Sequence, residues 1–225
     1  MLPTFLYPLF MAITLGASIG ILLLVFLLLT AVGLDPEITL IALGILGLVL
    51  LIVNSVFSAG YKGALLNEYY RALHKESVGI SSFTKYAFAN TLQFFTIALV
   101  KMVVIGFFLT PLGLIYYFLD LGSVHIALAY LFAGIGLFEW FVIEFFFAYS
   151  FIAYVEKKVK PFSAILISLN FIKDLNVKAL LVYVFYCIVV LSTLIPLLNT
   201  IMYLVFYPIV ATSLIKYFET QSAHY

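Results

Sequence analysis

The chain has 225 residues, of which 66% are hydrophobic and 9% charged, with a formal net charge of +1. An average soluble domain carries about 25% charged residues, so this composition excludes a fold covered in water and points to lipid as the solvent. Near-neutral charge also excludes the clustered basic surplus that nucleic acid requires, and a lone cysteine excludes an internal disulfide.

A spanning helix takes about 20 mainly apolar residues. The first predicted helix runs from Leu9 to Val32 and stops at Gly33-Leu34-Asp35-Pro36. Ala31-Val32-Gly33 imitates a signal-cleavage site. The run is longer than the roughly 7–15 residues of a signal core, and no Lys or Arg precedes it, so a retained helix is expected. The second helix runs from Ile38 to Ala59, and a polar stretch covers Tyr61 to Lys85. The third runs from Tyr86 to Thr110-Pro111, with Leu112 to Leu119 either extending it past a kink or lying at the interface. After a turn at Asp120-Leu121-Gly122-Ser123, the fourth runs from Val124 to Val155 and closes on Glu156-Lys157-Lys158. A second polar stretch reaches Lys178. The fifth helix runs from Ala179 to Ile195, and a turn at Pro196 to Asn199 leads to the sixth, which ends near Ile215 with a kink at Pro208.

The expected fold is all-α: one polytopic integral-membrane domain over residues 1–225, with six transmembrane helices as three hairpins joined by two interfacial amphipathic elbows. Lys62, Arg71, Lys75, Lys85, Lys157, Lys158, Lys160, Lys173, Lys178 and Lys216 fall on one side, while the opposite turns hold Asp35, Glu37 and Asp120. Basic residues concentrate in cytoplasmic loops, which predicts a multi-pass cell-membrane protein with both termini cytoplasmic. In the second elbow Phe162, Ile165, Leu166, Leu169 and Ile172 share one helical face, with Ser163, Ser168 and Lys173 away from its centre. Such a helix lies in the interface plane. Each polar stretch follows aromatics and a carboxylate, passes basic residues and reaches Phe83-Thr84 or Phe162-Ser163, a weak internal repeat.

The elbow from Ala59-Gly60-Tyr61-Lys62-Gly63-Ala64 to Ser82-Phe83-Thr84, and the one from Tyr154-Val155-Glu156-Lys157 to Ala164 through Lys173, carry a resemblance. Both are similar to the membrane domain attached to some glycerophosphoryl diester phosphodiesterases, and to related six-helix families of archaea and bacteria. The resemblance implies a six-helix membrane fold. Phosphodiester chemistry in that family belongs to a soluble barrel domain, so no catalytic residue is carried over.

Three ionisable residues fall inside predicted spans: Lys101 on the third, Glu139 and Glu144 on the fourth. A charge at a helix centre costs roughly 2.5–3.5 kcal/mol on insertion scales, so it calls for a partner or a task. Counted at 1.5 Å per residue, Lys101 lies roughly 22 Å from the cytoplasmic edge, Glu144 roughly 18 Å and Glu139 roughly 25 Å. Ala129, Ala133 and Gly136 form a small-residue stripe between the two glutamates, the kind that lets helices approach closely. Asn90 nearly aligns with Lys101, and Gln93 lies beside them. The expected result is a polar seam of Lys101, Glu139, Glu144, Asn90 and Gln93 between the third and fourth helices. Such a seam either fixes helix register or forms a proton, ion or substrate path.

Other residues read as structural. Cys187 packs in an apolar run; His74, His125 and His224 are dispersed in turns and tail; Asn54 is placed to bond across helices. No phosphate loop, HExxH or Gly-x-Ser-x-Gly occurs, so no catalytic, cofactor or metal site is expected. The 23 Phe and 16 Tyr include Tyr61, Tyr69, Tyr70, Tyr154 and Tyr217 near the inner interface and Tyr116, Tyr117 and Phe118 near the outer one. They read as interfacial belts. The expected function is a non-catalytic membrane module acting through lipids, a membrane-protein partner or a second copy. The alternative is a small transporter or channel using the Lys/Glu/Glu seam. A lipid enzyme would need polar residues gathered near one interface, and the outer face lacks them.

Overall fold

The computed structural model describes residues 2–119, 126–173, 177–192 and 201–222, and its elements are all helical. They are α1 (Leu2–Ala31), α2 (Pro36–Leu73), α3 (Ile80–Phe118), α4 (Ile126–Phe147), α5 (Ser150–Lys157), α6 (Pro161–Lys173), α7 (Val177–Ser192) and α8 (Tyr207–Gln221), the last preceded by a π-helical stretch, Met202–Phe206. Four runs are long and apolar enough to cross a membrane: Thr4–Ala31, Pro36–Leu73, Ile80–Phe118 and Ile126–Lys157. Pro161–Lys173 and Val177–Val189 are shorter apolar helices. No residue in the most apolar window of Pro36–Leu73 is buried. Water does not tolerate a continuous apolar surface of that kind, whereas lipid requires it. The expected turns at Asp120–Ser123 and Pro196–Asn199, with His125 and His224, lie outside the described residues.

Helix ends follow local chemistry. At the end of α1, Gly33 adopts φ 75°, and the Gly33 and Leu34 amides donate to the Thr30 and Leu29 carbonyls at 3.1 and 3.3 Å. These two bonds satisfy carbonyls that the helix leaves open. Asp35 then caps α2 by accepting the Glu37 amide at 2.8 Å, with Pro36 in the first turn where its missing N–H costs nothing. Lys75 closes α2 in the same way at φ 57°, and the Glu76 amide reaches the Arg71 carbonyl at 2.9 Å. A non-glycine residue in this region bears roughly 1–2 kcal/mol of strain. Lys75→Gly should therefore raise stability by about 0.5–1 kcal/mol after the entropy of a freer unfolded chain is subtracted. A melting curve in detergent checks this, and a lower midpoint for the glycine variant would contradict it.

Several boundaries differ from the sequence reading: α1 begins at Leu2 rather than Leu9, and the expected fourth helix divides into α4 and α5 at Ala148-Tyr149. Helix α2 runs unbroken through Lys62, Glu68 and Arg71 to Leu73, so the first elbow is the short turn before Ile80 rather than a separate amphipathic segment. Lys, Glu and Arg are good helix formers, so the charged residues do not interrupt the helix, which ends only where Lys75 turns left-handed. Helix α3 starts at Ile80 instead of Tyr86 and continues through Pro111 to Phe118. Ahead of Pro208 the ladder widens into the π-helical stretch, where the Tyr207 amide donates to the Met202 carbonyl. Proline has no N–H to give, and its ring crowds the carbonyl four residues back, so the ladder widens locally there. The second elbow is a distinct helix, α6, started by Pro161. Its Ser168, expected away from the apolar centre, is fully buried and donates to the Phe146 carbonyl at 2.8 Å.

The chain packs as two compact units, Met1–Phe95 and Thr96–Tyr225. In the first, the rings of Phe10, Tyr61 and Phe83 lie 5.3, 5.6 and 6.3 Å apart. In the second, Tyr149, Phe171 and Phe218 lie 4.8, 5.7 and 4.9 Å apart. Tyr61 precedes Phe83 by the same interval as Tyr149 precedes Phe171, and Glu68 follows Tyr61 as Glu156 follows Tyr149. This match is in a different register from the repeat expected from sequence: it pairs Phe83 with Phe171, whereas Phe162 is exposed. Tyr61 and Tyr69 are buried, core residues instead of belt residues, and the Tyr69 hydroxyl pairs with Thr4 Oγ1 at 2.9 Å.

Candidate functional site

In the second unit, α3 and α4 each place one charged residue against the other. Lys101 Nζ lies 2.8 Å from Glu144 Oε1 and donates to Oε2 at 3.1 Å. The two side chains are 17% and 23% exposed, which screens them from water. Half-buried, charge-assisted contacts of this length are strong. They tie α3 to α4. Tyr183 of α7 packs its ring on Phe141 and Phe145 of α4, at 5.5 and 5.0 Å.

Glu139 is not drawn into the pair. Its Oε2 is buried and has no hydrogen-bond partner among the described residues. It lines a groove of ≈ 540 Å³ with Val104 and Phe108 of α3, Phe138, Val142, Ile143, Phe146 and Phe147 of α4, and Leu169 of α6. Lys101, Val104 and Phe108 recur at helical spacing, so the groove begins one turn beyond the ion pair.

The other seam candidates fall in the first unit. Asn90 Nδ2 donates to the Tyr86 carbonyl at 3.1 Å within α3, and Gln93 Oε1 is buried without a hydrogen-bond partner. The five expected residues therefore divide into a Lys101–Glu144 pair, a glutamate in a groove, and two amides in the other unit.

No family model, curated protein or solved structure matches this chain.

The first unit holds a polar centre within what the sequence reading gave as a polar stretch between spans. Glu68 is fully buried. Its Oε2 accepts the Gly79 amide at 3.1 Å, and its Oε1 lies 3.4 Å from Arg71 Nη1. Arg71 Nε continues to Glu76 Oε2 at 3.0 Å. A carboxylate at the start of α3 satisfies an open amide and meets the positive end of the helix dipole. The signal was present: Glu68 extends the Gly60–Ala64 stripe on α2, a small-residue face that marks close packing. In the second unit, Lys157 Nζ donates to the Ser222 carbonyl at 3.1 Å, and the Ser222 hydroxyl pairs with Glu156 Oε1 at 3.3 Å. Asn54 Nδ2 donates to Ser18 Oγ at 2.7 Å, the cross-helix bond expected of it. Among the described residues, no three His, Cys, Asp or Glu are grouped to hold a metal ion.

Proposed function

We propose that this is a six-span, multi-pass protein of the cell membrane with cytoplasmic termini, and that it is a non-catalytic module working through lipid contact. The basic residues gathered on one side of the apolar runs support that orientation. The resemblance of the two elbows to six-helix membrane domains supports the span count. In the function itself, α6 carries the weight. Phe162 and Leu166 on this helix are 64% and 60% exposed, while Lys158, Lys160 and Lys173 around it are also exposed. An apolar stripe with a basic rim sits at a headgroup boundary, and each Lys near an anionic surface contributes about 1 kcal/mol.

The test is retention of phosphatidylglycerol over phosphatidylcholine by the purified chain in mixed nanodiscs. The wild type should prefer the anionic lipid, and replacing Lys158, Lys160 and Lys173 by Gln should cut that preference at least tenfold. A wild type indifferent to headgroup charge would end the reading.

A second reading, a small transporter using Lys101, Glu139 and Glu144, is favoured by one observation. Glu139 lies in a groove with an oxygen that the protein leaves unpaired, and intramembrane carboxylates often mark ion or substrate paths.

A further inference from the structure

We infer that the groove beside Glu139 is a binding site for a lipophilic organic cation, an ammonium or phosphonium centre carried on an apolar body. Charge is the first reason. Lys101 directs its ammonium to both oxygens of Glu144, so this pair is neutral. Among the described residues, Glu139 Oε2 is buried and accepts no hydrogen bond, so a negative charge there would meet no compensating donor at that oxygen. In a low-dielectric setting the missing counter-charge is worth far more than in water. A ligand that brings it gains what the protein does not supply.

The walls are the second reason. Phe108, Phe138, Phe146 and Phe147 line the same groove as Glu139. Aromatic faces attract cations, most strongly where water is excluded, and their apolar area takes up the rest of the ligand. An anion would face an uncompensated carboxylate. A neutral ligand would use the walls and leave the carboxylate unanswered. The volume, ≈ 540 Å³, falls within the range of about 300–1,000 Å³ common to small-molecule sites.

The groove's three helices add a third. It lies between α3, α4 and α6, so it connects an interfacial helix with two spanning ones. An amphiphile can enter such a groove from the bilayer without crossing water.

This site is the one the transporter reading uses, but binding does not require transport, and the two are measured separately. The probe is tetraphenylphosphonium, compared with tetraphenylborate, an anion of nearly the same shape. With the purified full chain in detergent, equilibrium dialysis should give saturable tetraphenylphosphonium binding at least tenfold tighter than that of tetraphenylborate. Glu139→Gln should lose at least tenfold in tetraphenylphosphonium affinity and remove the preference between the two ions. Phe138→Leu should cost about threefold while keeping the preference. Equal binding of both ions by the wild type, or unchanged cation affinity in Glu139→Gln, would overturn the inference. If Glu139→Gln does not fold, the wild-type ion preference and the Phe138 variant still decide it. Flux of the probe into proteoliposomes then addresses transport alone: binding without flux removes the transporter reading and leaves the site standing.

Discussion

Gly63→Val should destabilise the first unit by about 3 kcal/mol, the upper end of what overpacking a closed core costs. A β-carbon built at Gly63 would lie inside the van der Waals shell of three atoms of the Phe94 ring, and Phe94 is fully buried, so the ring has nowhere to go. Gly60 is similarly tight against Thr91 and the Ala87 carbonyl. The small residues on α2 therefore set how closely α3 approaches, as small-residue stripes do in membranes generally.

Helix propensity works the other way. Valine is a few tenths of a kcal/mol better than glycine inside a helix, so a loss of stability would come from the collision alone. Gly47 offers an internal control, because nothing lies within 4 Å of a β-carbon there. Gly47→Val should be neutral or slightly stabilising. Hydrogen exchange over Tyr61 to Tyr69 in detergent reads the difference, with a loss of roughly 100-fold in protection for Gly63→Val. Adding Phe94→Ala should recover at least half of it. If Gly63→Val and Gly47→Val behaved alike, the crossing would not be close-packed as described.

Which parts of this structure were legible beforehand follows from what each feature depends on. Long apolar runs depend only on local composition, so α1 to α4 could be read from the chain. Their ends depend on the balance between charge and helix propensity. Lys62, Glu68 and Arg71 looked like an interruption because they are charged, yet each favours the helix, and Glu68 is buried by a partner that sequence does not reveal. The Lys101–Glu144 contact was legible because depth and rotation along two regular helices can be counted. Those counts placed Lys101 between two carboxylates but could not say which would win. A lysine has a single ammonium, and here it meets both oxygens of Glu144. Asn90 and Gln93 shared a helical face with Lys101, but a face is not a neighbourhood. Helix α3 belongs to one unit up to Phe95 and to the other beyond it.

The Lys101–Glu144 pair should act as a fastening, and Lys101→Met tests that. Methionine keeps the length of the stem and removes the charge, leaving the Glu144 carboxylate without its ammonium. Breaking a buried pair from one side costs about 3–5 kcal/mol in soluble proteins. In a membrane the unfolded reference also finds polar partners, which reduces such energies, so about 2 kcal/mol is expected here. Glu144→Gln alone should cost a similar amount, because it strands the ammonium. Combining Lys101→Met with Glu144→Gln removes both charges and should cost less than the sum of the two, the mark of direct coupling. Cys187, half-buried in the second unit, supplies a readout through its thiol reactivity on heating. Strict additivity would show that the contact contributes nothing. Glu139→Gln belongs in the same series. Its Oε2 has no partner to lose, so the substitution should leave the melting midpoint unchanged or raise it. A glutamate that is dispensable for stability, beside one that is not, separates the fastening of this unit from the site that binds.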